Sequence, residues 1–146
     1  MKTIALRFGE HFAPPSGTIA AHQEVIDELG YVWYGKLGNS ISDKIISEIM
    51  KNESPKILLI NSGKAARYWA NIVEIRKTVP EVNEIPKYYR DNTEKFRVWF
   101  KIVSFKDAPK NIMSRCYVAS SGVLLGEVSK HSMSPYFIIE YVEDKE

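Results

Sequence analysis

The chain has 146 residues, of which 45% are hydrophobic and 26% charged, and a net charge of +2. That supplies one core and one domain and is too apolar for a disordered chain. A single cysteine, Cys116, excludes an internal disulfide and a cysteine-built zinc site. No apolar run approaches the roughly 18 residues of a membrane helix, so a cytoplasmic protein without membrane contact is expected.

In chain order, residues 4–8 read as a short strand that does not resemble a signal peptide. A loop with Pro14-Pro15 follows. Residues 18–29 read as a helix, with Ile19, Val25, Ile26 and Leu29 on one side and Gly30 as its stop. Residues 31–36 form a strand, and Ser42 caps a second helix reaching about residue 51. Residues 57–61 are apolar enough for a buried strand, 67–79 form a long strand and 97–105 another. Between the last two, residues 80–95 read as a loop carrying Tyr88-Tyr89. Residues 117–125 fit either a strand end or a helical turn, 136–142 form a closing strand, and 143–146 fray. Strands outnumber helices and the helices come early, which favours an α+β fold: a small mixed barrel with two or three flanking helices over residues 1–146.

Charge is uneven. Residues 87–115 hold eight basic side chains against three acidic ones, whereas 116–146 sum to −3 and 1–86 to zero. Such a stretch suits phosphate contacts; it also suits the solvated faces of alternating strands. No G-x-S-x-G, phosphate loop or dinucleotide fingerprint occurs. His11, His22 and His131 are scattered, without metal-ligand spacing. Cys116 lies between Arg115 and Tyr117, where a basic neighbour lowers a thiol's pKa, but a buried inert thiol is the favoured reading. Neither a cofactor nor a metal is expected, and a binding module is favoured over an enzyme.

The most informative stretch runs from Gly30 to Ile75. A tryptophan stands in a short strand beside glycines, and a second strand ends in Ser62-Gly63-Lys64 before the chain returns. An aromatic wall next to open backbone suits the stacking of a nucleobase. Gly30-Tyr31-Val32-Trp33, the run Ile57-Leu58-Leu59-Ile60 through Ser62-Gly63-Lys64, and Arg97-Val98-Trp99-Phe100-Lys101-Ile102 resemble, in that order, motifs of the PUA-like superfamily. They are most similar to its YTH and EVE branch, whose members bind modified bases in an aromatic cage. The last forty residues resemble the ends of such domains in modification-dependent restriction systems of the McrBC type.

That resemblance implies a PUA-like fold and makes Trp33 the first cage wall, partly open in the free protein; the alternative is a core tryptophan. Tyr34 is its neighbour on the strand. The second wall is expected from Tyr88 or Tyr89, where the family offers a tryptophan. His11 and Phe12 in the first loop, with Asn61 and Ser62 at the hairpin, are the remaining ligand-binding candidates, and Asn39 is a further donor near the mouth. Lys36, Lys64, Arg67, Arg90 and Lys95 are candidates for phosphate contacts. Trp69 and Trp99 are expected to pack the barrel. The partner implied is nucleic acid, DNA favoured and RNA open, carrying a methylated or otherwise modified base flipped from its stack. Motor or nuclease subunits would lie elsewhere in the system. The alternative is an enzyme of the ASCH type, a hydrolase of modified nucleosides or a nuclease, working through Lys, Glu or Thr groups in the same cleft.

Overall fold

The computed structural model of the chain describes residues 1–143; the fraying expected at 144–146 lies outside the described residues. The strands are β1 (Lys2–Phe8), β2 (Val32–Leu37), β3 (Lys56–Asn61), β4 (Arg67–Arg76), β5 (Phe96–Asp107), β6 (Cys116–Val118) and β7 (Tyr136–Tyr141). The helices are α1 (Thr18–Leu29), α2 (Asp43–Met50) and α3 (Leu125–His131). All seven strands join one mixed sheet in the order β2-β5-β4-β3-β1-β7-β6. β1 runs parallel to β3 and antiparallel to β7; the other pairs are antiparallel.

The expected closed barrel is instead an open sheet. Closure needs the two edge strands to meet, and β2 and β6 do not pair. β6, at three residues, offers little edge to pair with. The sheet nevertheless curls, as twisted sheets do. Leu6 and Phe8 of β1 line the same cavity as Tyr34 and Lys36 of β2, although β3, β4 and β5 lie between these strands in the sheet.

Local sequence accounts for the helices. α1 ends at Gly30, whose φ of 84° is the left-handed conformation that costs glycine nothing, and whose N–H donates to the Ile26 carbonyl at 2.7 Å. At its other end Gly17 has no side chain to cap with. Glu10 from the preceding loop accepts the Thr18 N–H at 3.0 Å instead. α2 is capped by Ser42 Oγ, which accepts the Ile45 N–H at 3.2 Å, and it lays Ile49 on the core with Ile45, Ile46 and Met50 beside it.

Three apolar clusters result. The largest joins β1, β2 and β5 to α1 and α2 through residues such as Leu6, Val32, Phe100, Ile26 and Ile49. A second, on the other sheet face, holds Leu58, Ile60, Trp69, Leu125 and Ile139. The third is small: Trp33, Ile85, Tyr89 and Trp99. Trp69 and Trp99 are thus packed, as their strand positions suggest.

Elsewhere the structure departs from the sequence reading. The long strand stops at Arg76. Residues 80–95 are not a bare loop; they wind into two 3-10 segments, Val82–Glu84 and Lys87–Lys95, the first held by a capping box between Glu81 and Glu84. Residues 117–125 divide into the end of β6, a turn and the start of α3. Among the described residues no helix is long and apolar enough to cross a membrane.

Candidate functional site

A cavity of about 390 Å³ is bounded by β1, residues 9–13, the start of α1, β2 and the 3-10 segment Lys87–Lys95. Its size falls in the range of small-molecule sites. Six rings contribute to its wall: Phe8, Phe12, Tyr34, Tyr88, Tyr89 and Phe96.

Strand alternation on β2 builds one side. Tyr34 points to the inner cluster with Val32, and Lys36 falls on the same face two residues on. Gly35, on the opposite face, is needed for a different reason. A Cβ there would sit 2.6 Å from ring carbons of Phe96, so only glycine lets that ring lie against the strand. Phe96 in turn stacks on Tyr89, with centroids 4.5 Å apart and planes at 27°.

Behind these rings lies His22 of α1, fully buried. Its Nδ1–H donates to the Thr18 carbonyl at 2.8 Å. Nε2 has no hydrogen-bond partner among the described residues. The imidazole sits 5.0 Å from the Tyr34 ring and meets Tyr89 edge-on at 5.1 Å. Burial, only partly opposed by the Thr18 carbonyl, lowers its pKa to about 4, so the imidazole is neutral near pH 7. Burial likewise raises Tyr34, Tyr88 and Tyr89 above the ordinary phenol value. The cavity therefore presents neutral hydroxyls.

The charged side chains on the cavity wall are Arg7, Lys36 and Lys95, with no carboxylate among the described lining residues. Lys36 is only 4% exposed. Its Nζ donates to the Asn39 carbonyl at 2.5 Å and the Leu37 carbonyl at 3.3 Å and lies 4.1 Å from the Tyr136 ring centre. Burial lowers its pKa. Arg7 donates to the Ser129 carbonyl at 2.6 Å, and Lys95 is exposed.

A second, more open cleft shares Gly9 with the cavity and is lined by Glu10, His11, Asn61, Ser62 and Lys64. Asn61 is 8% exposed, and its Oδ1 has no partner among the described residues.

The structure thus sorts the sequence candidates. Tyr34, Tyr88, Tyr89, Phe12, Lys36 and Lys95 line the cavity; His11, Asn61, Ser62 and Lys64 line the adjoining cleft. Trp33 requires a correction. It is 1% exposed, packed with Ile85, Tyr89 and Trp99, with the Arg76 guanidinium 4.2 Å over its ring. It is not a partly open wall, because the segment folded from residues 80–95 covers that face of β2. Lys36 lies on the cavity wall rather than on the open surface, being buried. Arg67 uses Nη1 on the Lys64 and Ala66 carbonyls of its own hairpin, at 2.7 and 2.9 Å. Arg90 is exposed but not on the cavity wall. Of the basic residues between 87 and 115, the cavity wall includes only Lys95, since strand alternation and the chain's path scatter the rest.

Phe8, Phe96, Thr18 and His22 were not singled out from sequence. The parity of Tyr34 and Lys36 was the available signal for one wall; nothing local pointed to His22. Among the described residues no group of three His, Cys, Asp or Glu side chains is placed to hold a metal. Cys116 is buried and its thiol pushed up to about 12, chiefly by burial, which makes it unreactive.

No curated protein and no solved structure matches the chain. A family model does, from residue 4 to residue 140, across the strands and loops that build both clefts, and the chain therefore belongs to the Pua-like family.

Proposed function

We propose that this domain binds nucleic acid and receives a modified base, flipped from its stack, in the cavity beside Tyr34. The observation that carries the reading is a cavity of about 390 Å³ walled by six aromatic rings, with three cations and no carboxylate on its described lining. Flat rings supply stacking, worth roughly 1–3 kcal/mol per base, and the cations suit a polyanion. Membership of the Pua-like family supports nucleic-acid binding at this coarse level. The sequence resemblance to YTH and EVE modules adds the modified base. It also adds DNA as the favoured polymer and a modification-dependent restriction system as the setting. The stacking surface moves from Trp33 to the rings around Tyr34, while the adjoining cleft with Ser62 and Lys64 provides a path for the strand.

The test is a panel of methylated and unmodified oligonucleotides, single- and double-stranded, titrated at low and physiological salt. Preference for a modified oligonucleotide, lost on Phe12→Ala, is expected. Equal, weak binding to every oligonucleotide would end the modified-base reading.

A second reading, hydrolysis of a small modified nucleoside, draws on one observation: Thr18 and the buried Lys36 share the cavity wall. Incubation with modified nucleosides followed by chromatography distinguishes turnover from binding.

A further inference from the structure

Lys36 is the most deeply buried lysine of the described chain, and it has no carboxylate. The contrast with other lysines is direct. Lys2, Lys77 and Lys130 are far more exposed, yet each reaches an acid, at 2.8, 2.9 and 3.5 Å. Among the described residues Lys36 has two neutral carbonyls, one of them at a long 3.3 Å, and the face of Tyr136. The acid on the neighbouring cleft, Glu10, accepts the Thr18 N–H at the start of α1. A cation taken out of water without a counter-charge is costly. Here it stands on the wall of a cavity with no carboxylate among its described lining residues. Of the other polar groups there, Arg7 and Lys95 are also cations, while the hydroxyls of Thr18, Tyr34, Tyr88 and Tyr89 and the amide of Asn92 can donate or accept and carry no charge.

We propose that this cavity selects an occupant presenting an oxygen-acceptor edge, which Lys36 Nζ meets as a charged donor. The proposal rests on the nucleobase reading above and sharpens it. An oxo-base of the guanine or uracil type offers carbonyl oxygens at the edge where adenine and cytosine offer an amino donor. An amino edge facing the ammonium would leave two donors opposed. A phosphate oxygen would meet the same requirement, so the two sources have to be separated by experiment.

The experiment titrates the whole protein, by calorimetry, with guanosine, uridine, adenosine and cytidine, each plain and methylated, and with inorganic phosphate. Oxo-nucleosides are expected to bind about tenfold or more tightly than amino-nucleosides, the margin of one charge-assisted hydrogen bond. Lys36→Met, which keeps length and removes charge, should erase that margin while stacking persists. Lys36→Arg should retain part of it. Phosphate binding that depends on Lys36, with no oxo preference, assigns the acceptor to the backbone and keeps the proposal. Oxo- and amino-nucleosides that bind alike, with no phosphate binding, overturn it, and the wild-type panel decides this even if Lys36→Met fails to fold. Absence of binding to any nucleoside or oligonucleotide overturns the parent reading, and this proposal with it.

Discussion

Trp33 and Tyr34 are neighbours on one strand and live in opposite worlds. Trp33 is sealed between Trp99, Ile85 and Tyr89 under the Arg76 guanidinium. Tyr34 looks the other way, onto a cavity with space for a ligand. Both rings are almost wholly buried from solvent, so burial alone does not separate a packing aromatic from a binding one. What separates them is the material opposite. A 3-10 segment fills the space over Trp33, whereas the gap between β1 and β2 in the curled, unclosed sheet leaves space by Tyr34.

The sharpest way to break this comparison is truncation on the sealed face. Trp33→Ala should cost about 3–5 kcal/mol of stability, read as a large drop in urea midpoint and melting temperature. A folded Trp33→Ala protein with normal stability and lost binding would restore Trp33 to the site.

Next in size is an acid effect seated between the two faces. His22 is held neutral in the fold with a pKa near 4, against 6.5 for the free side chain. Its contribution is present above about pH 6.5. As pH falls from there toward 4, the unfolded chain takes up the proton and the native state does not, so stability declines by roughly 3 kcal/mol in all. Urea midpoints measured at intervals between pH 7 and 4 test this. A profile as steep in His22→Gln as in the wild type would assign the acid loss to other groups.

Gly35→Ala sharpens the comparison further, because Gly35 is where the two faces meet. The added methyl collides with Phe96 and should cost about 1–3 kcal/mol. It should also disturb the Phe96–Tyr89 stack, and with it ligand binding, more than any exposed substitution of equal stability cost.

The smallest effect on stability is expected at Phe12, which is 88% exposed on the cavity rim. Phe12→Ala should shift stability by less than about 0.5 kcal/mol yet weaken oligonucleotide binding by about tenfold to a hundredfold. Unchanged affinity would remove Phe12 from the site.

Much of the frame was legible because its causes are local. Gly30 ends α1 through its own backbone freedom, Ser42 caps α2 with its own hydroxyl, and the run Ile57-Leu58-Leu59-Ile60 is apolar because β3 is central in the sheet. The Pua-like assignment was legible through motif order. The site was legible only in part. Alternation separates Trp33 from Tyr34, but both faces of β2 are covered, so parity does not say which face meets a ligand. That depended on residues 80–95, whose prolines and charges read as a loop and whose fold puts Ile85 and Tyr89 on Trp33. The burial of Lys36 was hidden for a related reason. Lysine is ordinarily a surface residue, and its burial is set by Tyr136, a hundred positions away in the chain. Barrel closure failed on the brevity of β6, which no periodicity in residues 117–125 revealed.

The central place of β1 has a consequence for how the chain is made. This first strand is hydrogen-bonded to β3 on one side and to β7, some 130 positions later, on the other. During synthesis a ribosome releases β1 more than a hundred residues ahead of β7. For nearly all of that interval one edge of β1 stands bare, with unpaired amides and carbonyls that can template pairing with another chain. Such long-range pairing also slows folding once the chain is free. Nascent chains stalled before residue 136 should therefore aggregate or recruit chaperones, and chains extended far enough beyond residue 141 for β7 to clear the ribosome should not.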